Sequence, residues 1–228
     1  MIELIRYRQE DGREPYTEWF RDLRDRMAKA RIADRLRQIE CGNLGDSKAV
    51  GEGVTELRIH IGAGYRVYCG RRGAGLGDSS LRWRQRQPDN GHRKSQDALG
   101  RLEAEATMKK YSAGVSHDER TIEELREDRE YAVAVLQVAM ESLENPAERG
   151  GGLLALRAVA EAYGGLVAVA EQAGISRESL YRALSPKGNP TLKTLIAVLK
   201  TMDLRLSVSA KKPADAAQAK EGEDTVAA

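Results

Sequence analysis

The chain of 228 residues predicts an α+β N-terminal half with an incomplete antiparallel sheet and a helical hairpin, then a linker, then an all-α domain that ends in a short strand. Three observations lead there. Apolar residues alternate in Ile2–Tyr7, Val54–Ile61 and Tyr65–Cys69, the period of a half-buried strand. They recur three or four apart in residues 14–41 and again from 128 to 202, the period of an amphipathic helix. Between these regions, residues 71–107 are rich in Arg, Gln, Gly and Ser and carry almost no apolar periodicity.

Taken in order, IELIRY forms the first strand. In residues 14–41, Trp19, Phe20, Leu23, Met27, Ile32, Leu36 and Ile39 supply an apolar stripe, with Arg, Asp and Lys on the intervening face. A break near Ala28–Arg31 divides this stretch into two antiparallel helices. Gly42, Gly45, Gly51 and Gly53 make 42–53 a loop. VTELRIHI and YRVYC, joined by Gly-Ala-Gly, then make a hairpin. After the 71–107 linker, 108–115 is an arm, Ser116 caps a helix over 118–126, and a second helix over 128–144 buries Tyr131, Val135, Val138 and Leu143. Further helices cover 153–163, 166–173, 177–184 and 191–202. Leu204–Val208 alternates as a short strand able to pair across a dimer, and 210–228 is a polar, Ala-rich disordered tail. The domains are 1–70, 71–107, 108–148, 149–209 and 210–228.

Composition narrows the function. A hydrophobic fraction of 41% is enough for a core, and no apolar run approaches the roughly 20 residues that span a bilayer. Arg6 and Arg8 interrupt the first segment before a signal peptide can form. With two cysteines, Cys41 and Cys69, and no secretory signal, the expected setting is cytoplasmic with reduced thiols. No metal-ligand set or cofactor motif is visible. The net charge of +2 hides an uneven distribution: residues 108–148 hold 5 basic against 10 acidic side chains, and residues 149–212 hold 10 against 4. A positive field over 149–212 suits phosphate contact.

Gly165–Leu184, GLVAVAEQAGISRESLYRAL, carries the sharpest motif. Ala170, Gly174 and Leu180 stand where a helix-turn-helix needs a small residue at the crossing, a residue free to take positive φ, and a core plug. Ser176 caps the second helix, which turns Arg177, Glu178, Ser179, Tyr181 and Arg182 outward. Those five would address DNA, with Arg177, Glu178, Tyr181 and Arg182 the candidates for base edges and groove walls, and Ser176, Lys187, Asn189 and Thr191 those for phosphates. An ordinary helical hairpin would use the same turn. An acidic face such as 116–144 is equally open to two readings, a solvated surface or a cover for a basic partner.

Two resemblances follow from these residues. The first strand, the helical hairpin, Lys48 and GVTELRIHIGAGYRVYCG together resemble RelE/HigB-type toxins, in the phage-related addiction module killer branch, over about residues 1–70. That resemblance implies a metal-independent, ribosome-dependent endoribonuclease acting on mRNA. Lys48, Arg58, Arg66 and Tyr68 are then the candidate catalytic residues, since cations stabilise a charged phosphorane-like state and an ionisable group moves protons. Strand alternation alone also accounts for Arg58 and Arg66, as the solvated face of a sheet. From Met108 to about 209, with GISRESLYRALSPKGNPTLKTL as the most specific part, the chain resembles HigA-like addiction module antidotes of the Xre/Cro helix-turn-helix class. This implies an antitoxin that binds a cognate toxin and, as a homodimer, operator DNA.

The genetic code offers a link between the halves. If the bases of Gly77–Ala106 are read one nucleotide later, codons exist that turn Gly77-Asp78-Ser79-Ser80-Leu81 into Val-Ile-Leu-Leu-Cys and the remainder into an amphipathic helix, ending on a stop that overlaps the codon of Met108. Residues 71–107 therefore read as a frameshifted linker between a toxin remnant and an antidote. A sheet without its last strand would leave the N-terminal half impaired. The alternative is an active endoribonuclease restrained in cis by the C-terminal half.

Overall fold

A computed structural model describes residues 2–9, 11–51, 54–62, 64–71, 81–86 and 114–207, with the backbone alone for 71 and 81–86. The rest of the linker, the start of the arm at 108–113, the end of the expected strand at 208–209 and the tail at 210–228 lie outside the described residues.

The strands are β1 (Leu4–Tyr7), β2 (Ser47–Gly51), β3 (Val54–Ile59), β4 (Tyr65–Arg71), β5 (Leu81–Arg86) and β6 (Gly114–Ser116). They form one sheet in the order β2-β3-β4-β5-β1-β6. All neighbours are antiparallel except β1 and β5, which run parallel with Leu4 opposite Leu81. Three expectations are corrected here. The sheet is not incomplete, because Leu81–Arg86, inside the stretch read as linker, fills the slot between β4 and β1. Ladder pairing engages backbone N–H and C=O groups, which LRWRQR supplies as well as an apolar segment does. Residues 47–51, read as loop, pair with β3, and Gly114 and Val115, read as arm, pair with β1 together with Ser116, which also caps the following helix as expected.

The helices are α1 (Pro15–Asp22), α2 (Arg26–Glu40), α3 (His117–Glu127), α4 (Arg129–Ser142), α5 (Arg149–Tyr163), α6 (Gly165–Ala173), α7 (Arg177–Ala183) and α8 (Leu192–Lys200). The hairpin breaks at residues 23–25 and not at 28–31, because the Asp25 carboxylate accepts from the Ala28 amide and starts α2 there. Helix α5 begins at Arg149, four residues earlier than the apolar pattern shows, and runs through Gly150, Gly151 and Gly152. Glycine is a poor helix former, but a Cβ on Gly151 would meet the Gln38 amide at 2.5 Å and one on Gly152 the Ala139 carbonyl at 2.7 Å. The helix trades propensity for close approach to α2 and α4. Leu204–Ser207 takes no strand conformation: no described strand lies beside it to complete a ladder.

A single core joins the two halves. Leu57, Val67 and Cys69 of the sheet, Ile32, Leu36 and Ile39 of α2, and Leu125, Tyr131, Val138, Leu153 and Val159 of the C-terminal helices all bury in it. Helix α2 lies at its centre. Ten of its fifteen residues are buried, more than one face of a helix can hold, and they include Lys29, Arg37, Gln38 and Glu40. The polar face that alternation assigns to solvent is covered by α4 and α5.

Candidate nucleic-acid interface

Helices α6 and α7 meet at the three-residue turn Gly174-Ile175-Ser176. Gly174 adopts φ 64°, the left-handed conformation, and ends α6 with its amide bonded back to Ala170 and Glu171. Ser176 Oγ accepts from the Ser179 amide at 3.1 Å and starts α7. Ala170, Leu180 and Leu184 are buried, so α7 is anchored by one side. Its other side presents Arg177, Glu178, Tyr181 and Arg182 to solvent. Ser179 is half-buried, with its hydroxyl accepting from Ser176 Oγ at 3.0 Å and facing an Arg182 nitrogen at 3.5 Å.

The residues expected at phosphates divide. Lys187 and Asn189 are exposed on the loop after α7, and the Arg149 guanidinium donates to Asn189 Oδ1 at 2.6 Å. Thr191 caps α8, its Oγ1 accepting from the Thr194 amide at 3.2 Å, and remains exposed. The loop turns tightly at Gly188, whose amide bonds to the Ser185 carbonyl at 2.8 Å; a Cβ there would enter the carbonyls of Arg182 and Ala183.

Sequence reasoning missed Arg157. Its guanidinium lies 4.9 Å from the centre of the Tyr181 ring and covers one face of it. The same arginine lines a cleft with Arg37, Asp118, Leu154, Arg177 and Tyr181, placing the exposed helix within reach of the junction between the two halves. A lone arginine within the apolar run LLALRAVA was the available signal.

The four candidate catalytic residues fall on one face of the sheet. Lys48 pairs opposite Glu56, Glu56 opposite Tyr68, and Arg58 opposite Arg66. Glu56, also missed, is buried to 2% and receives Arg58 Nε at 3.0 Å, with Arg66 Nε at 3.5 Å. Leu57, Ile59, Val67 and Cys69 alternate to the opposite, core-facing side. Lys48 is exposed and Tyr68 is buried. His60 stands apart on the exposed end of the hairpin, paired with Asp46, whose carboxyl this bond holds below its usual range. Among the described residues no group of His, Cys, Asp and Glu is arranged to hold a metal ion, and no single helix is long and apolar enough to cross a membrane.

Comparison with known proteins adds to this geometry. Two curated proteins of Haemophilus influenzae, both uncharacterized, are similar to part of the chain: one is 45% identical over 53 residues, the other 52% identical over 40. These matches take in 23% and 18% of this chain, and they span 54% and 41% of the two relatives. No solved structure matches. Residues 121–210, running from α3 past α8, match the family described as "Probable addiction module antidote protein", and it is to this family that the C-terminal region of the chain is similar.

Proposed function

We propose that the C-terminal half is an addiction-module antitoxin of HigA-like type that binds operator DNA through α7 and represses its own operon as a homodimer. The N-terminal half is its RelE/HigB-type toxin counterpart, joined to it by a frame slip and impaired as a ribonuclease. The observation that carries the reading is the exposed row Arg177, Glu178, Tyr181 and Arg182 on a short helix anchored by Leu180 and Leu184, within a region similar to antidote proteins. Such a helix offers two guanidiniums, a carboxylate and a phenol to a groove, with Lys187, Asn189 and Thr191 set for the flanking phosphates. A reporter gene placed behind the chain's own promoter tests this. Expression of the chain represses the reporter, and expression of an R177A/R182A variant does not.

A second reading, an active ribosome-dependent endoribonuclease restrained in cis, is favoured by the filled sheet and by the shared face of Lys48, Arg58, Arg66 and Tyr68. Two cations beside the buried Glu56 are suited to a phosphate that gains charge in its transition state. Translation measured after induction of the chain in cells separates the two: arrest that K48A relieves supports the second, and unchanged translation supports the first.

A further inference from the structure

We propose that the surface α3, α4 and α5 turn toward α2 is the recognition surface of the antidote half for a toxin-type chain, and that in this protein the N-terminal half already occupies it in cis. The inference rests on the antidote reading of the C-terminal half and names the residues that grip the partner.

The contact combines the common apolar core with a set of polar pairs at its centre. Helix α2 meets the C-terminal half with polar groups, and their partners come from residues 118–148: Arg31 reaches Glu141, Arg37 reaches Asp118, Ser142 Oγ donates to Asp34 at 3.1 Å, and Gln38 donates to the Glu148 carbonyl at 2.8 Å. Lys29 lies over the Tyr131 ring at 5.1 Å. Beside the buried Ile32, Leu36 and Ile39 of α2, these hydrogen-bonded polar groups give the contact its register and its choice of partner.

The charges are also sorted. Arg6, Arg26, Arg31 and Arg37 stand on the N-terminal side, and Glu124, Asp128, Glu141 and Asp118 answer them from the strongly acidic segment. One pair runs the other way, Glu14 of the first half with Arg120 of α3 at 2.7 Å, and it fixes orientation. The partner that fits is a strand-and-helical-hairpin unit with a buried arginine on its first strand, a basic helix and one acidic residue at the start of its hairpin. The grip comes from the helical side of the sheet, where Leu57, Val67 and Cys69 enter the common core, opposite to the Lys48, Arg58, Arg66 and Tyr68 face.

The test uses the full chain with a protease recognition sequence inserted between Gly100 and Arg101 and cleaved after folding. Wild-type fragments remain together on size-exclusion chromatography in about 0.1 M salt. R120E, which sets a carboxylate against Glu14, raises their dissociation constant by about tenfold or more, and E14R/R120E recovers most of the loss. Should uncleaved R120E lose its cooperative melt, Asp118→Asn carries the same comparison through Arg37. Fragments that separate as soon as the wild-type chain is cut, or variants that hold as tightly as wild type, overturn the proposal. DNA binding by the cut chain is measured alongside: its absence with the fragments still associated removes the repressor reading and leaves the interface.

Discussion

Arg6 of β1 and Glu124 of α3, 118 residues apart in sequence, form a two-pronged ion pair in the interior, with Nη1 to Oε1 at 2.5 Å and Nη2 to Oε2 at 2.8 Å. Arg6 is 1% exposed, and its remaining donors reach Thr17, Thr121 and His117. Burial works against its charge, but the Glu124 carboxylate outweighs this and keeps the guanidinium firmly protonated. Removing one partner leaves the other buried and unpaired. Arg6→Met is expected to lower unfolding stability by about 3–5 kcal/mol, measured by urea titration, and R6M/E124L to lower it less than R6M alone.

Acid acts on the same junction through two groups. His117 is buried, and burial first, then Arg6 and Arg37, push its pKa well below the usual histidine range. Burial pushes Glu14 upward, but hydrogen bonds from Arg120, Arg8 and Thr17 override it and hold the carboxyl at about 2. In both, the unfolded chain binds the proton more readily than the folded one. The stability these two groups contribute is present in full above about pH 6.5 and falls as pH drops, first through His117 and then, below about pH 4.5, through Glu14. Denaturation midpoints measured from pH 7 to pH 3 check this. H117N is expected to flatten the upper part of the decline and leave the lower part.

Asp34 shows the opposite sign. Burial raises its carboxyl to about 6 despite hydrogen bonds from Gln38 and Ser142. A group raised in the folded state contributes stability that is complete below its unfolded value, about 3.9, and is lost as pH rises through about 6. Asp34→Asn keeps an oxygen for Ser142 and carries no charge. Its denaturation midpoint is expected to exceed wild type at pH 8, with the gap closing by pH 4.

Gly152 tests the close approach of α5 to α4. Alanine is normally the better helix residue, so G152A would stabilise an unconstrained helix. Here the added methyl faces the Ala139 carbonyl at 2.7 Å and Ser142 Cβ at 3.1 Å. The expected outcome is a loss of about 1–3 kcal/mol, read by thermal or chemical denaturation.

Much of α6 to α8 was legible in the sequence because its determinants are local. Gly174 at positive φ, Ser176 as cap and Leu180 as plug each act within a few residues of their own position. The strand pairs of β3 and β4 follow from alternation, and so does the single face shared by Arg58, Arg66 and Tyr68; Lys48 joins that face only through β2, a stretch whose glycines read as loop. What was not legible depends on distant chain. No pattern in residues 81–86 shows that β1 and β4 leave a slot between them, and the polar face of α2 gives no sign that Asp118, Glu141 and Ser142 will cover it. Residues 150–152 fell outside the helix begun at 153 because they carry no apolar side chain, and their value lies in what Gln38 and Ala139 occupy nearby.

Arg157 offers a check on how α7 is held. A cation over an exposed aromatic ring contributes about 0.5–1 kcal/mol. If Tyr181 meets DNA in the orientation that Arg157 sets, R157A weakens operator binding about twofold to fivefold and leaves the melting temperature nearly unchanged. R157K loses less, since it keeps the charge over the ring.

The central claim, that the exposed side of α7 reads DNA, is tested most directly by fluorescence anisotropy of a labelled duplex from the chain's own promoter, titrated with wild type and R182A against a scrambled duplex. Wild type is expected to prefer the promoter, and R182A to lose about 1–3 kcal/mol on it while binding the scrambled duplex almost as before. Equal binding of both duplexes by wild type, or an R182A titration that overlays wild type, would contradict the account.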